Sequence, residues 1–217
     1  MKGARKRGSS VSTPTEKKQQ RAVVTRKHLI HGAREVFARD GFDLARVEDI
    51  AAAAGKTRGA FYANFEDKED VFFAIFEEDL ARDKEQVRLE LSEASCSEER
   101  VRVLARHLIA KIKDRRRMLL ALGFKQYAIR HPRKHKRLAN LHATMCVRSV
   151  EANLDELLPE FANVSARRKR AQTAQVSAIL DGLALNYMFD ADSLSNQQML
   201  RQIRAGLRVA LGLQKGG

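Results

Sequence analysis

Between residues 57 and 64 the chain reads Thr57-Arg58-Gly59-Ala60-Phe61-Tyr62-Ala63-Asn64, a short run rich in hydrogen-bonding side chains with two very small residues among them. Thr57 can cap a helix through its hydroxyl, and the free N–H groups of such a helix end attract anions such as phosphate. Arg58 carries a planar fork of donors that matches the two acceptors on the edge of a guanine. Tyr62 and Asn64 add polar groups within reach of base or backbone, while Gly59 and Ala60 let a partner come close. The chemistry on offer is recognition of a nucleic acid. Catalytic chemistry is not legible: the chain has no nucleophile-elbow serine, no phosphate-binding glycine loop, no His-Glu-x-x-His and no Cys-x-x-Cys pair. His131 precedes Pro132 and falls outside the helix that follows, and His142 lies two turns beyond His135, too far to share an ion. The expectation is therefore a non-enzyme with no metal and no cofactor.

A helix that reads bases must be held by others. Val47, Ile50, Ala51 and Ala54 form an apolar set closed by Gly55, which can take a positive φ and turn the chain; Ala60, Phe61 and Phe65 then point the next segment inward. Ahead of them, Leu29, Ala33, Val36 and Phe37 recur at helical spacing up to Gly41. The start of that first helix is open between two signals. Thr13, Pro14 and Glu16 read as a capping box with proline at the first helical position, and Thr25 offers a second start. The result is three short helices arranged as a helix-turn-helix unit.

The run GFDLARVEDIAAAAGKTRGAFYANFEDKEDVF resembles the signature of the TetR family of bacterial regulators. Val47, Asp49, Ile50, Ala51, Ala54, Gly55, Gly59, Tyr62, Phe65, Lys68 and Glu69 all match its pattern. The resemblance implies that Thr57, Arg58, Gly59 and Ala60 face the major groove, that Tyr62 and Lys68 hold phosphates, and that Asn64 serves either purpose. Thr25 joins the same DNA-contacting set. Two positions depart from the family: Arg46 stands where a threonine cap is common, and Lys56 where the turn is usually apolar. Losing the cap costs the second helix ~1 kcal/mol, and both changes read as extra backbone contacts.

Composition agrees with a polyanion partner. The net charge is +14, and nine of the first thirty residues are Lys or Arg against the single Glu16. Residues 1–20 read as a basic flexible arm, 21–68 as the DNA-binding domain, and 69–217 as a larger helical domain. The same charge also suits a sequence-tolerant DNA binder, which would hold all duplexes alike. Basic clusters at 115–117, 130–137 and 167–170 read as solvated faces. Cys96 and Cys146 lie fifty residues apart, no apolar leader follows the basic start, and nowhere do eighteen apolar residues run together. A cytoplasmic protein without a membrane span is expected.

Helical patterns run from about 97 to 113, 116 to 130, 133 to 158, 166 to 190 and 194 to 213, broken near His131-Pro132 and Pro159. The fold class is all-α. The resemblance implies that these helices bind a ligand and dimerise, making the whole a repressor released from operator DNA by a small-molecule effector. In the 166–190 helix, Ala171, Ala174, Ala178, Leu185 and Met188 form one apolar line and Val176, Ile179, Leu180, Leu183 and Tyr187 another. Two lines suit packing on one side against the chain itself and on the other against a second copy, a homodimer. For the ligand cavity the expected lining is Phe76, Phe124, Tyr127 and Met145, with Phe72, Met118 and Phe161 as further bulky candidates. His107 and Asn186 are expected to orient a polar group there, with Gln126, Asn140 and His142 as alternatives.

Overall fold

The structure, a computed structural model, describes residues 14–154 and 164–213. Nine helices occupy it, with no strand among the described residues: α1 (Pro14–Leu44), α2 (Val47–Ala53), α3 (Arg58–Tyr62), α4 (Lys68–Ser92), α5 (Ser97–Lys113), α6 (Arg115–Arg130), α7 (Pro132–Leu154), α8 (Ala166–Phe189) and α9 (Asn196–Ala210). None of the described helices is long and apolar enough to cross a membrane.

α1 begins at Pro14, whose missing N–H falls where a helix has no acceptor for it. Residues 14–20, expected as part of the arm, are therefore helical, and Thr25 lies half-buried in mid-helix rather than at a start. Thr13 and the rest of the basic run, like Phe161 and Pro159, lie outside the described residues. Leu29, Ile30, Ala33, Val36 and Phe37 make the buried stripe of α1. The helix breaks at Gly41, which adopts φ 78°, a conformation that a side chain disfavours. The break redirects the chain so that Phe42 enters the core, 1% exposed.

Two apolar cores result, and they do not divide at the boundary between the expected domains. The first joins α1, α2, α3 and the start of α4 to Leu120, Phe124, Tyr127 and Ala128 of α6 and Leu138 of α7. Phe42 sits at its centre, with ring centroids 5.3 Å from Phe124, 5.0 Å from Tyr127 and 5.7 Å from Phe72. The second core is built from the far half of α4 with α5, α8 and α9, around Val101, Ile112, Leu183, Met199 and Ile203. Of the two lines on α8, Val176, Ile179, Leu180, Leu183 and Tyr187 pack on this second core, and so does Met188 of the other line. Ala171, Ala174, Ala178 and Leu185 are exposed in the single chain.

α1 and α2 cross at Gly32, a glycine in the middle of a helix where alanine is favoured by ~1 kcal/mol. A Cβ there would stand 2.8 Å from the backbone nitrogen of Ala54 and 2.9 Å from the carbonyl oxygen of Ile50. Backbone cannot yield as a side chain does, so the crossing distance of the two helices depends on this glycine. Gly32→Ala is expected to destabilise the protein by ~1–3 kcal/mol despite its better helix propensity. Thermal unfolding would show this as a lowered midpoint; an unchanged or raised midpoint would mean that the helices can separate freely.

Candidate nucleic-acid interface and ligand cavity

The turn between α2 and α3 is closed by backbone alone. Gly55 takes φ 62°, its N–H donates to Ala52 O (2.9 Å), and the Lys56 N–H donates to Ala51 O (2.8 Å), the two bonds of a Schellman stop. Arg46, the N-cap of α2, gives that helix no side-chain cap, but Glu48 and Asp49 occupy its positive end. Thr57 caps α3 through its hydroxyl, which accepts from the Ala60 N–H at 3.1 Å. Phe61 is fully buried beneath α3, leaving Arg58, Gly59 and Tyr62 exposed on its outer face and Ala60 half-buried. Arg58 pairs with Glu48 at 3.1 Å and lies 5.5 Å from the Tyr62 ring, contacts made on open surface that a stronger anion can replace.

Asn64 has a different place from the one expected. Its side-chain amide donates to Ala60 O (2.8 Å), closing the end of α3, and its own carbonyl accepts from Arg26 (3.0 Å), whose guanidinium lies 4.2 Å from the Phe65 ring. Arg26 of α1 thus clamps the end of α3, a role that sequence periodicity does not reveal.

Lys68 requires a correction. Its ammonium donates to the carbonyls of Phe42 (2.9 Å), Asp43 (2.6 Å) and Ala45 (3.3 Å), so its three protons are committed to the segment that follows the Gly41 break. Burial lowers its pKa, with Asp43 opposing. The lysine secures the turn between α1 and α2 and has no donor left for phosphate. Next to it Glu69 is 2% exposed and accepts from the Tyr127 hydroxyl and the Lys134 ammonium, each at 2.5 Å. Burial alone would push this carboxyl up, but the bonds from Lys134 and Tyr127 override it and hold the pKa down at about 2.

A cavity of about 280 Å³ lies between α4, α5, α6, α7, α8 and α9. Phe76 and His107 line it, together with Phe72, Met118 and His142. Four expected residues do not. Phe124 is stacked 3.8 Å from Phe72 inside the first core, Tyr127 is turned to Glu69, Met145 packs on the first core, and Asn186 is exposed, its amide bonded to Gly182 O. Gln126 and Asn140 are also exposed. Periodicity marks these side chains as inward or polar but does not say toward which core.

The charged lining was missed. Asp83 receives a two-point bond from Arg117 (2.7 and 2.5 Å) and another from Lys111 (2.7 Å). Asp79 accepts from Arg34 of α1 (2.8 Å) and lies 3.5 Å from Arg117 Nε. Burial pushes the Asp83 carboxyl up, but His107, Arg117 and Lys111 together hold it well below the usual carboxylate range. The signal was present: on α4 the apolar stripe Phe72, Phe76, Val87 and Leu91 is interrupted at helical spacing by Asp79 and Asp83, carboxylates where the period calls for apolar residues. On the opposite wall Lys125 bonds to Asp181 and Ser177. His142 stacks 4.8 Å from Phe76, and burial, aided by Lys125, lowers its pKa to about 4. Among the described residues no group of His, Cys, Asp and Glu could hold a metal.

Residues 29–75 match the model for bacterial regulatory proteins of the tetR family, and residues 97–212, more than half of the chain, match the C-terminal model of BetI-type transcriptional repressors. The chain belongs to the TetR family. The chain is 43% identical over 65 residues to the HTH-type transcriptional repressor AcnR of Corynebacterium efficiens (30% of this chain, 35% of that protein). It is also 43% identical over 61 residues to the HTH-type transcriptional regulator AcrR of Shigella flexneri (28% of each). The match thus spans about a third of the length of these curated relatives. The TetR fold extends much further. Thermus thermophilus FadR, a TetR-family repressor solved with lauroyl-CoA, superposes with a TM-score of 0.61 at 21% identity, over 88% of this chain and 96% of that one. Salmonella enterica GusR superposes at 0.59 and 18% identity, over 94% and 100%.

Two expectations follow for this TetR-family chain. Lys68→Met is expected to lower the thermal midpoint while leaving the slope of log affinity for DNA against log salt unchanged; a slope reduced by about one per chain would return Lys68 to the phosphate contacts. Glu69 and His142 both titrate lower in the folded chain than in the unfolded one. Their stabilisation is therefore complete above about pH 6.5 and is lost on acidification, through His142 toward about 4 and through Glu69 toward about 2. Thermal unfolding against pH should show this fall, and His142→Gln should flatten its upper part; an unaltered upper limb would assign that limb to other groups.

Proposed function

We propose that the protein is a sequence-specific transcriptional regulator that binds double-stranded operator DNA in the cytoplasm, acts as a repressor, and is released when a small molecule occupies the cavity. The observation that carries this reading is Gly59. It lies inside the short helix α3, where glycine costs ~1 kcal/mol relative to alanine, yet its φ is not positive, and a Cβ there would meet nothing nearer than the Thr57 hydroxyl at 3.8 Å. Nothing among the described residues calls for glycine. A partner that must approach the backbone closely does, and the surrounding Arg46, Lys56, Thr57, Arg58 and Tyr62 are suited to an anionic one. In this reading Arg58 and Ala60 read base edges with Gly59, Tyr62, Lys56 and Arg46 hold phosphates, Thr25 lies against the backbone, and Asn64 and Lys68 position the others.

A homodimer fits the reading because twofold proteins reach two half-sites. The exposed line of α8, Ala171, Ala174, Ala178 and Leu185, also contains Gly182, where a Cβ would meet nothing within 4 Å. Leu185 is 57% exposed and Val209 of α9 50%, so the two helices carry an apolar face left over after the chain's own cores are filled. A second copy of the same face would cover it, with small residues allowing close helix packing.

The test is Gly59→Ala, titrated with duplex from the region flanking the protein's own gene against excess random DNA at physiological salt. The wild type should bind saturably and resist competition. The variant should keep or raise the thermal midpoint and lose at least about tenfold in operator affinity, a change of ~1.4 kcal/mol. Undiminished binding by the variant would refute the close approach at Gly59, and equal competition by random DNA would favour a sequence-tolerant DNA binder.

A further inference from the structure

The cavity has a chemical bias that narrows what it can hold. Its walls are largely apolar, with Ile75, Leu80, Leu104, Leu108, Val176 and Leu180 among the lining side chains. Its charged end is unbalanced. Arg34, Lys111 and Arg117 share only two buried carboxylates, Asp79 and Asp83. At the rim Arg82 approaches Asp79 (3.7 Å), Glu78 pairs with Arg34 (3.3 Å) and the exposed Asp114 acts on Arg117, which brings four cations against four carboxylates. Lys84, also on the lining, adds another cation. Both aspartates already carry more than one cation each, so a positively charged ligand would find no free carboxylate here, whereas a negative group would supply the missing counter-charge.

A second observation points to a ligand on the facing helix. Gln172 of α8 lines the cavity at 8% exposure, and its Oε1 has no hydrogen-bond partner among the described residues; the neighbouring Thr173 hydroxyl also lacks one. Buried polar atoms are normally paired, and exceptions inside a cavity mark where a bound molecule completes the bonding. The volume of about 280 Å³ suits a small molecule of one short chain or ring.

We infer that the cavity binds a small amphipathic anion, whose acidic group is held by Lys111 and Arg117 beside Asp83 while its apolar body lies along α5 and α8. The inference rests on the reading of the protein as a ligand-released regulator and names the class of that ligand. A neutral compound would leave the surplus cation uncompensated, and a cation would add to it.

Octanoate, octan-1-ol and octylammonium share a chain and differ in head charge, so calorimetric titration of the full chain with each at pH 7 isolates the head. Octanoate should bind at least tenfold more tightly than either of the others. In Lys111→Met, octanoate should lose that advantage while octan-1-ol binds as before, which also reports that the cavity is still folded. Should that variant fail to fold, the three compounds on the wild type decide alone. Equal or tighter binding of octan-1-ol or octylammonium by the wild type, no binding of octanoate, or an undiminished preference in folded Lys111→Met would overturn the inference. Operator titration of the same preparation keeps the two readings apart: loss of operator binding counts against the regulator, and the head-group preference counts only for or against the anion.

Discussion

Three carboxylates buried on one helix set the positions of the helices around it. Glu69, Asp79 and Asp83 all lie buried on α4, and a buried carboxylate stays charged only where cations and donors reach it. Those partners come from elsewhere: Tyr127 and Lys134 from α6 and α7, Arg34 from α1, Arg117 from α6 and Lys111 from α5. Removing one partner of a buried pair typically costs ~3–5 kcal/mol, whereas the pair as a whole adds little over a well-packed apolar substitute. Such contacts therefore act through geometry more than through net stability. They make one arrangement of α1, α5, α6 and α7 around α4 far better than its neighbours.

The helix-turn-helix unit depends on the same helix. Gly41 breaks α1, Phe42 enters the core between α4 and α6, and Lys68 gathers the carbonyls of the segment that follows, so the approach to α2 is determined from α4. Arg34, on the stripe that leads to that break, is bonded to Asp79, and Arg117 touches both Asp79 and Asp83 on the cavity side. α1 and the cavity are thus joined through the ion pairs on Asp79, and the segment after the Gly41 break is packed on α4 and α6 through Phe42.

Much of this architecture was legible in the residues. The α5 range was legible to the residue and those of α6, α8 and α9 within a few, because apolar spacing, glycine stops and the proline at 132 act locally. The turn of the reading head was legible for the same reason, since Gly55 and Thr57 do their work with backbone groups only a few residues away. What escaped was everything that needs two distant helices to meet. Phe124, Tyr127 and Met145 have the composition of cavity walls, yet the Gly41 break sends Phe42 against that part of α6 and claims it for the first core. Lys68 looks like any surface cation until the carbonyls of residues 42, 43 and 45 are brought beneath it. The charged cavity lining was readable as carboxylates out of place on an apolar stripe, a sign of paired burial, although their partners were not.

The division of labour around the cavity bears on how such a protein can change over generations. The carboxylates that tie the cavity to α1 sit on α4, while much of the apolar wall comes from α5 and α8. Exchanging one aliphatic side chain for another on those two helices alters the shape of the space at modest expense in packing and leaves the ion pairs to α1 untouched. Lineages of this chain are therefore free to drift toward new small molecules through α5 and α8, provided that Asp79, Asp83, Arg34 and Arg117 are inherited together.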